Sequence, residues 1–105
     1  MRPILALCLI LLTATSAFAL DEEAERYVKL ALQLGEYDPD YVDAYLGPDE
    51  WAQEAKDNFR TKDELATDIS SLLLDLKNLS LTDATRWKRL PRLIGMLIQE
   101  TKWAM

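Results

Sequence analysis

The stretch TKDELATDISSLLLDLKNL, residues 61–79, decides the fold class. Thr61 followed three positions later by Glu64 is a capping box, in which the hydroxyl meets the third helical N–H and the glutamate reaches back to the cap. Behind it Leu65, Ile69, Leu72, Leu73, Leu76 and Leu79 recur mostly at three and four residues, so one broad apolar face turns inward through about Asn78. Burying these side chains contributes ~1.5–3 kcal/mol each before conformational entropy is counted. This helix is the expected core.

Outward from it the same periodicity continues, and nowhere does a sustained two-residue alternation announce a strand. The reading is an all-α bundle of about four helices. A first helix is expected over residues 21–34, with Asp21, Glu22 and Glu23 at its positive end, Ala24, Tyr27, Val28, Ala31, Leu32 and Leu34 inward, and Gly35 as a left-handed stop. Asp38-Pro39 reads as an N-cap with proline at the first helical position, starting a short helix that carries Tyr41, Val42 and Tyr45 on one side and closes at Gly47. Gly47-Pro48 opens the next short helix in the same way, with Asp49 and Glu50 near its start and Trp51, Ala55 and Phe59 behind. Tyr41, Val42, Tyr45 and Trp51 are expected to pack these short helices against the leucine helix. Thr82 or Ser80 caps a last helix over residues 83–103, with Trp87, Leu90, Ile94, Leu97 and Ile98 on one side; Pro91 inside it should kink or break it, at ~3 kcal/mol.

The first 19 residues stand apart. Arg2, the apolar run from Ile4 to Leu12 and the small-x-small ending Ala17-Phe18-Ala19 form a secretory signal peptide with cleavage expected after Ala19, and the run is too short to anchor in a bilayer. Localisation is therefore expected to be exported, periplasmic or secreted, in a bacterium. The single cysteine, Cys8, leaves with the leader, which removes disulfides, a thiolate nucleophile and cysteine zinc ligands together. Residues 20–105 are one small helical domain, or the N-terminal fragment of a larger helical protein.

Charge is distributed unevenly. Residues 21–75 carry a net −11 and residues 76–105 a net +4. The acidic majority argues against nucleic acid, and the two halves are expected to pair within one fold. Arg86, Lys88, Arg89 and Arg92 around Trp87 and Leu90 have the composition of a membrane-surface helix, but Pro91 interrupts it.

Motifs with chemistry are few. Asp38-x-Asp40-x-x-Asp43 lacks the glycine and terminal glutamate of a calcium loop, and capping accounts for its carboxylates, so neither a metal site nor a catalytic residue is expected. Asn78-Leu79-Ser80 matches a glycosylation acceptor, relevant only in a eukaryotic secretory pathway.

The segment RYVKLALQLGEYDPDYVDAYLGPDEW, residues 26–51, resembles the beginning of a family of bacterial, often exported, zinc metallopeptidases. These are long all-helical proteins whose N-terminal region carries a DxxYVDAYYGPPEW-like string and whose zinc is held much later by a His-Glu-x-x-Pro-Gly-His-His motif. This chain contains no histidine, so none of the ligands or catalytic residues of that motif can be placed on it. The resemblance implies a non-catalytic N-terminal piece of such a protein, needing no cofactor and completed by a missing C-terminal region. The alternative is a stand-alone periplasmic binding or adaptor module for a protein or membrane-surface partner.

Overall fold

The computed structural model describes residues 21–101; the signal peptide, its cleavage point after Ala19, and Trp103 and Met105 lie outside the described residues. Helices α1 (Glu22–Tyr37), α2 (Asp49–Asp57), α3 (Lys62–Thr82) and α4 (Ala84–Leu97) surround a small antiparallel sheet of β1 (Val42–Tyr45) and β2 (Ile98–Glu100). The all-α bundle expected from periodicity is present, with one addition: the sheet.

Helix α3 forms as its capping box requires. The Thr61 hydroxyl accepts from the Glu64 N–H at 3.2 Å, and the Thr61 N–H donates to Glu64 Oε1 at 2.9 Å. Those donors hold the exposed Glu64 carboxyl below its usual range. Leu65, Leu72 and Leu79, two turns apart, form its buried seam. Leu65 and Leu72 pack with Leu30 of α1, and Leu79 with Ala24 of α1 and Leu90 of α4. Leu73, expected in that seam, points outward at 61% exposure.

Helix α1 takes the central place, in contact with α2, α3, α4 and β1. Its Val28 is fully enclosed, and Ala31 and Leu32 beside it meet Ala55 of α2 and Ile98 of β2. Tyr41, Val42, Tyr45 and Trp51 pack on this α1 cluster, not on the leucine helix as expected.

Asp38-Pro39 does not start a helix. The residue before proline is biased toward extended backbone, and Asp38 sits at φ −133° and ψ 98°. Its carboxylate accepts from the Asp40 N–H at 3.1 Å, making a side-chain turn in place of a cap. The chain then extends, and Val42, Ala44 and Tyr45 pair with Glu100, Gln99 and Ile98, with an irregularity between Val42 and Ala44. At the other end, the helix expected to reach residue 103 stops at Leu97, where this pairing takes over. Pro91 leaves α4 continuous; Pro91 is exposed, so the Trp87 carbonyl it deprives of a donor is open to water. The α4 cap is Asp83, whose carboxylate accepts from the Arg86 N–H at 3.2 Å, and neither Thr82 nor Ser80.

The glycines also act differently from expectation. No glycine among the described residues has positive φ. Gly35 lies inside α1, where an added Cβ would sit 3.0 Å from Val42 Cγ2, so it permits β1 to lie against the helix. At Gly47 a Cβ would meet the Tyr45 hydroxyl at 2.6 Å, the same hydroxyl that donates to the Pro48 carbonyl at 2.6 Å. Pro48 is the extended N-cap of α2, one position earlier than expected.

Gly35→Ala gains ~1 kcal/mol of helix propensity and meets an overpacked contact worth ~1–3 kcal/mol. Net destabilisation is expected in the wild type, and neutrality or gain in a Val42→Ala background, read from denaturant midpoints; equal effects in both backgrounds would mean that the close approach plays no part. Trp51→Ala should cost about 2–3 kcal/mol, below the value for a fully enclosed ring because Trp51 is only half-buried. A loss under about 0.5 kcal/mol would remove it from the core.

Candidate functional site

The acids that draw attention in residues 37–51 do not converge. Asp38 makes its turn, Asp43 is exposed on β1, and Asp49 and Glu50 occupy the first turn of α2, where carboxylates oppose the helix dipole. Among the described residues no group of three or more acidic, histidine or cysteine side chains has the arrangement of a metal site. The basic residues Lys88, Arg89 and Arg92 are exposed on α4, while Arg86 pairs with Glu23 of α1, the expected bridge between basic tail and acidic front. Asn78 is exposed, but the Ser80 hydroxyl of that tripeptide donates to the Lys77 carbonyl at 2.7 Å within α3. No helix among the described residues is long and apolar enough to cross a membrane.

Two polar arrangements are built by the fold instead. The first is a carboxylate held by two phenols. The Tyr27 hydroxyl donates to Glu100 Oε1 and Oε2 at 2.9 and 3.1 Å, and the Tyr41 hydroxyl donates to Oε2. Burial pushes the Tyr27 phenol up to about 12, helped by the hydrogen bond to Glu100 and its negative charge. Tyr41 is raised further by the same causes in the same order. Together with the bond from the Thr101 N–H to the Tyr41 carbonyl at 2.8 Å, this clasp ties β2 to α1 and to the turn before β1. All of its donors are satisfied internally, so its chemistry is structural.

The second is a cleft of about 370 Å³ between α1, α2 and α3. Its floor holds Leu30, Ala55 and Gln33, the last only 6% exposed. The Gln33 amide donates to the Asn58 carbonyl at 3.1 Å and accepts from the Arg60 N–H at 3.2 Å, which fixes the loop between α2 and α3. The rim cations are each engaged: Arg26 with Asp75 at 2.6 Å, Arg60 with Asp68 at 2.5 Å, and Lys29 with Glu25 at 2.9 Å while lying 5.4 Å over the Trp51 ring. The hydrogen bond to Glu25 holds Lys29 above the usual ammonium range. With every cation neutralised by a neighbour, the rim acts first as a set of helix-to-helix ties.

A third feature is apolar. Leu73, Leu74 and Leu81 on the outer side of α3 are 61%, 68% and 77% exposed. Leu74 and Leu81 are two turns apart and share a face opposite the Leu65, Leu72 and Leu79 seam.

Sequence reading missed Glu100, which it counted only as a charge, and the Arg26, Lys29 and Gln33 stripe. The stripe had a signal, since these positions are three and four residues apart and make a polar face on α1. Glu100 had a weaker one: it is one of only two acids after residue 75.

The clasp sets an alkaline limit. Because the folded Tyr27 phenol titrates above its ordinary value of 10.0, its contribution to stability is complete below about pH 10 and is lost as pH rises through about 12. Glu100→Gln removes the charge but not the burial, so Tyr27 and Tyr41 should ionise at lower pH while Tyr45, raised by burial, Asp49 and Glu50, stays where it was. Ultraviolet titration of the phenols checks this; an unchanged profile in the variant would remove Glu100 from the account.

Compared with known proteins, the chain matches no family model, no curated protein and no solved structure.

Proposed function

We propose that this chain is an exported, non-catalytic helical interaction module, similar to the N-terminal piece of the metallopeptidase family that residues 26–51 resemble, and that it works by receiving a helix on the outer face of α3. The observation that supports this is the leucine content of α3 on both sides. A surface helix of a small domain keeps one apolar stripe and turns polar residues outward. Here the inward seam is complete with Leu65, Leu72 and Leu79, yet Leu73, Leu74 and Leu81 remain in water. Contiguous exposed apolar surface on a helix face marks an interaction site. In the fragment reading the covering helix belongs to the C-terminal region of a longer protein; in the module reading it belongs to a separate polypeptide. The exposed side-chain arrangement favours the second, because the Leu74 and Leu81 stripe runs along a helix whose capping box and Asp83 stop are both complete.

The experiment is site-specific photocrosslinking in the exporting cell, with a photoreactive residue in place of Leu74 or Leu81 and, as control, in place of the exposed Asp57 on α2. Discrete polypeptide adducts are expected at the two leucine positions and not at Asp57. No adduct at either leucine, or the same adducts at all three positions, would overturn the module reading.

A further inference from the structure

The outer face of α3 matches its own reverse. Resting on the module reading above, we infer that the helix it receives is α3 of a second copy of this chain, packed antiparallel about a twofold axis between Leu73 and Leu74.

Helix α3 presents Ala66, Ser70, Leu73, Leu74, Lys77 and Leu81 within an arc of roughly 100° on the side away from its buried seam, and all six are exposed. A twofold axis requires a surface patch that complements itself when reversed. With the axis between Leu73 and Leu74, Leu73 lies across from the other copy's Leu74, the long Leu81 across from the small Ala66, and Lys77 across from Ser70. Large residues thus meet small ones at both ends while leucines meet at the centre. A parallel, in-register pair would instead set Lys77 against Lys77 and Leu81 against Leu81, leaving Ala66 opposite Ala66 with a gap. Like charges placed opposite each other oppose association, so the antiparallel arrangement is favoured. The axis also falls close to the middle of the 21-residue helix, so nearly its whole length overlaps. The ends of the stripe are open, since Leu81 near the C-terminus of α3 is 77% exposed.

The test uses the chain purified after its own export, in two measurements. Sedimentation equilibrium should show a reversible monomer–dimer system, and Leu74→Lys, which substitutes an exposed side chain, should weaken dimerisation at least about tenfold without changing the unfolding midpoint of the monomer. Register is read with engineered cysteines: a mixture of the Ala66→Cys and Leu81→Cys variants should oxidise to a mixed disulfide dimer much faster than either variant alone. A dimer that survives Leu74→Lys, or cysteine variants that each crosslink to themselves as fast as to one another, would overturn the proposal. A chain that stays monomeric while the Leu74 photoadduct contains a different polypeptide would also overturn it and leave the module reading standing. A monomer with no photoadduct would end both.

Discussion

The fold depends on the burial of α1 along nearly its whole circumference. Val28 is sealed from solvent, and the small side chains of Ala24 and Ala31 on the same helix let neighbours approach from different directions. Leu30 faces the α3 seam, Ala24 meets Leu79 and Leu90, and Ala31 and Leu32 meet Ala55 and Ile98. A helix this enclosed cannot place charge freely, and its polar residues are confined to narrow strips where each finds a partner: Arg26 with Asp75, Gln33 with the α2–α3 loop, Tyr27 with Glu100. Buried polar groups cost free energy unless hydrogen-bonded, so these partnerships follow from the central position of the helix.

What was legible in the sequence was local. The Thr61 and Glu64 box and the Leu65, Leu72 and Leu79 spacing specify α3 without help from the rest of the chain. The β1 strand was not legible, because its reason lies more than fifty residues away in Ile98 to Glu100. Val42 and Tyr45 have the preferences of strand residues, but four residues carry too little alternation to outweigh a cap-and-proline pattern. Gly35 misled for a related cause: a glycine at a helix end normally signals a left-handed stop, and only the packing of Val42 against it explains a right-handed one. Pro91 cost less than its interior position implied, since the bond it removes faces water.

Of the site features, the carboxylates of residues 37–51 were correctly read as mostly elements of local structure, although Asp38 serves a turn and not a helix. The Tyr27, Tyr41 and Glu100 clasp could not be read, for the same reason as the sheet: it exists only once β2 returns to β1. The clasp and the sheet therefore form together. Each hydrogen bond within them is modest in net worth, but a carboxylate left without its phenols in a half-buried place would carry the full desolvation cost.

The run Leu72-Leu73-Leu74 makes the rotation of α3 ambiguous by hydrophobicity alone, since a turn of about 100° about its axis would exchange one set of leucines for another. Charge resolves it. Asp68 and Asp75, two turns apart on the flank of α3, hold Arg60 and Arg26, and these ties are met only when Leu65, Leu72 and Leu79 face α1. Exposed ion pairs contribute little to total stability. Between two rotations that bury similar leucines, however, a small difference is sufficient, and the alternative would also press Lys77 toward the core at a far larger cost. The outward leucines are thus left in water by a rotation that the ion pairs select, and the apolar face of α3 is a consequence of how the helix is seated on α1.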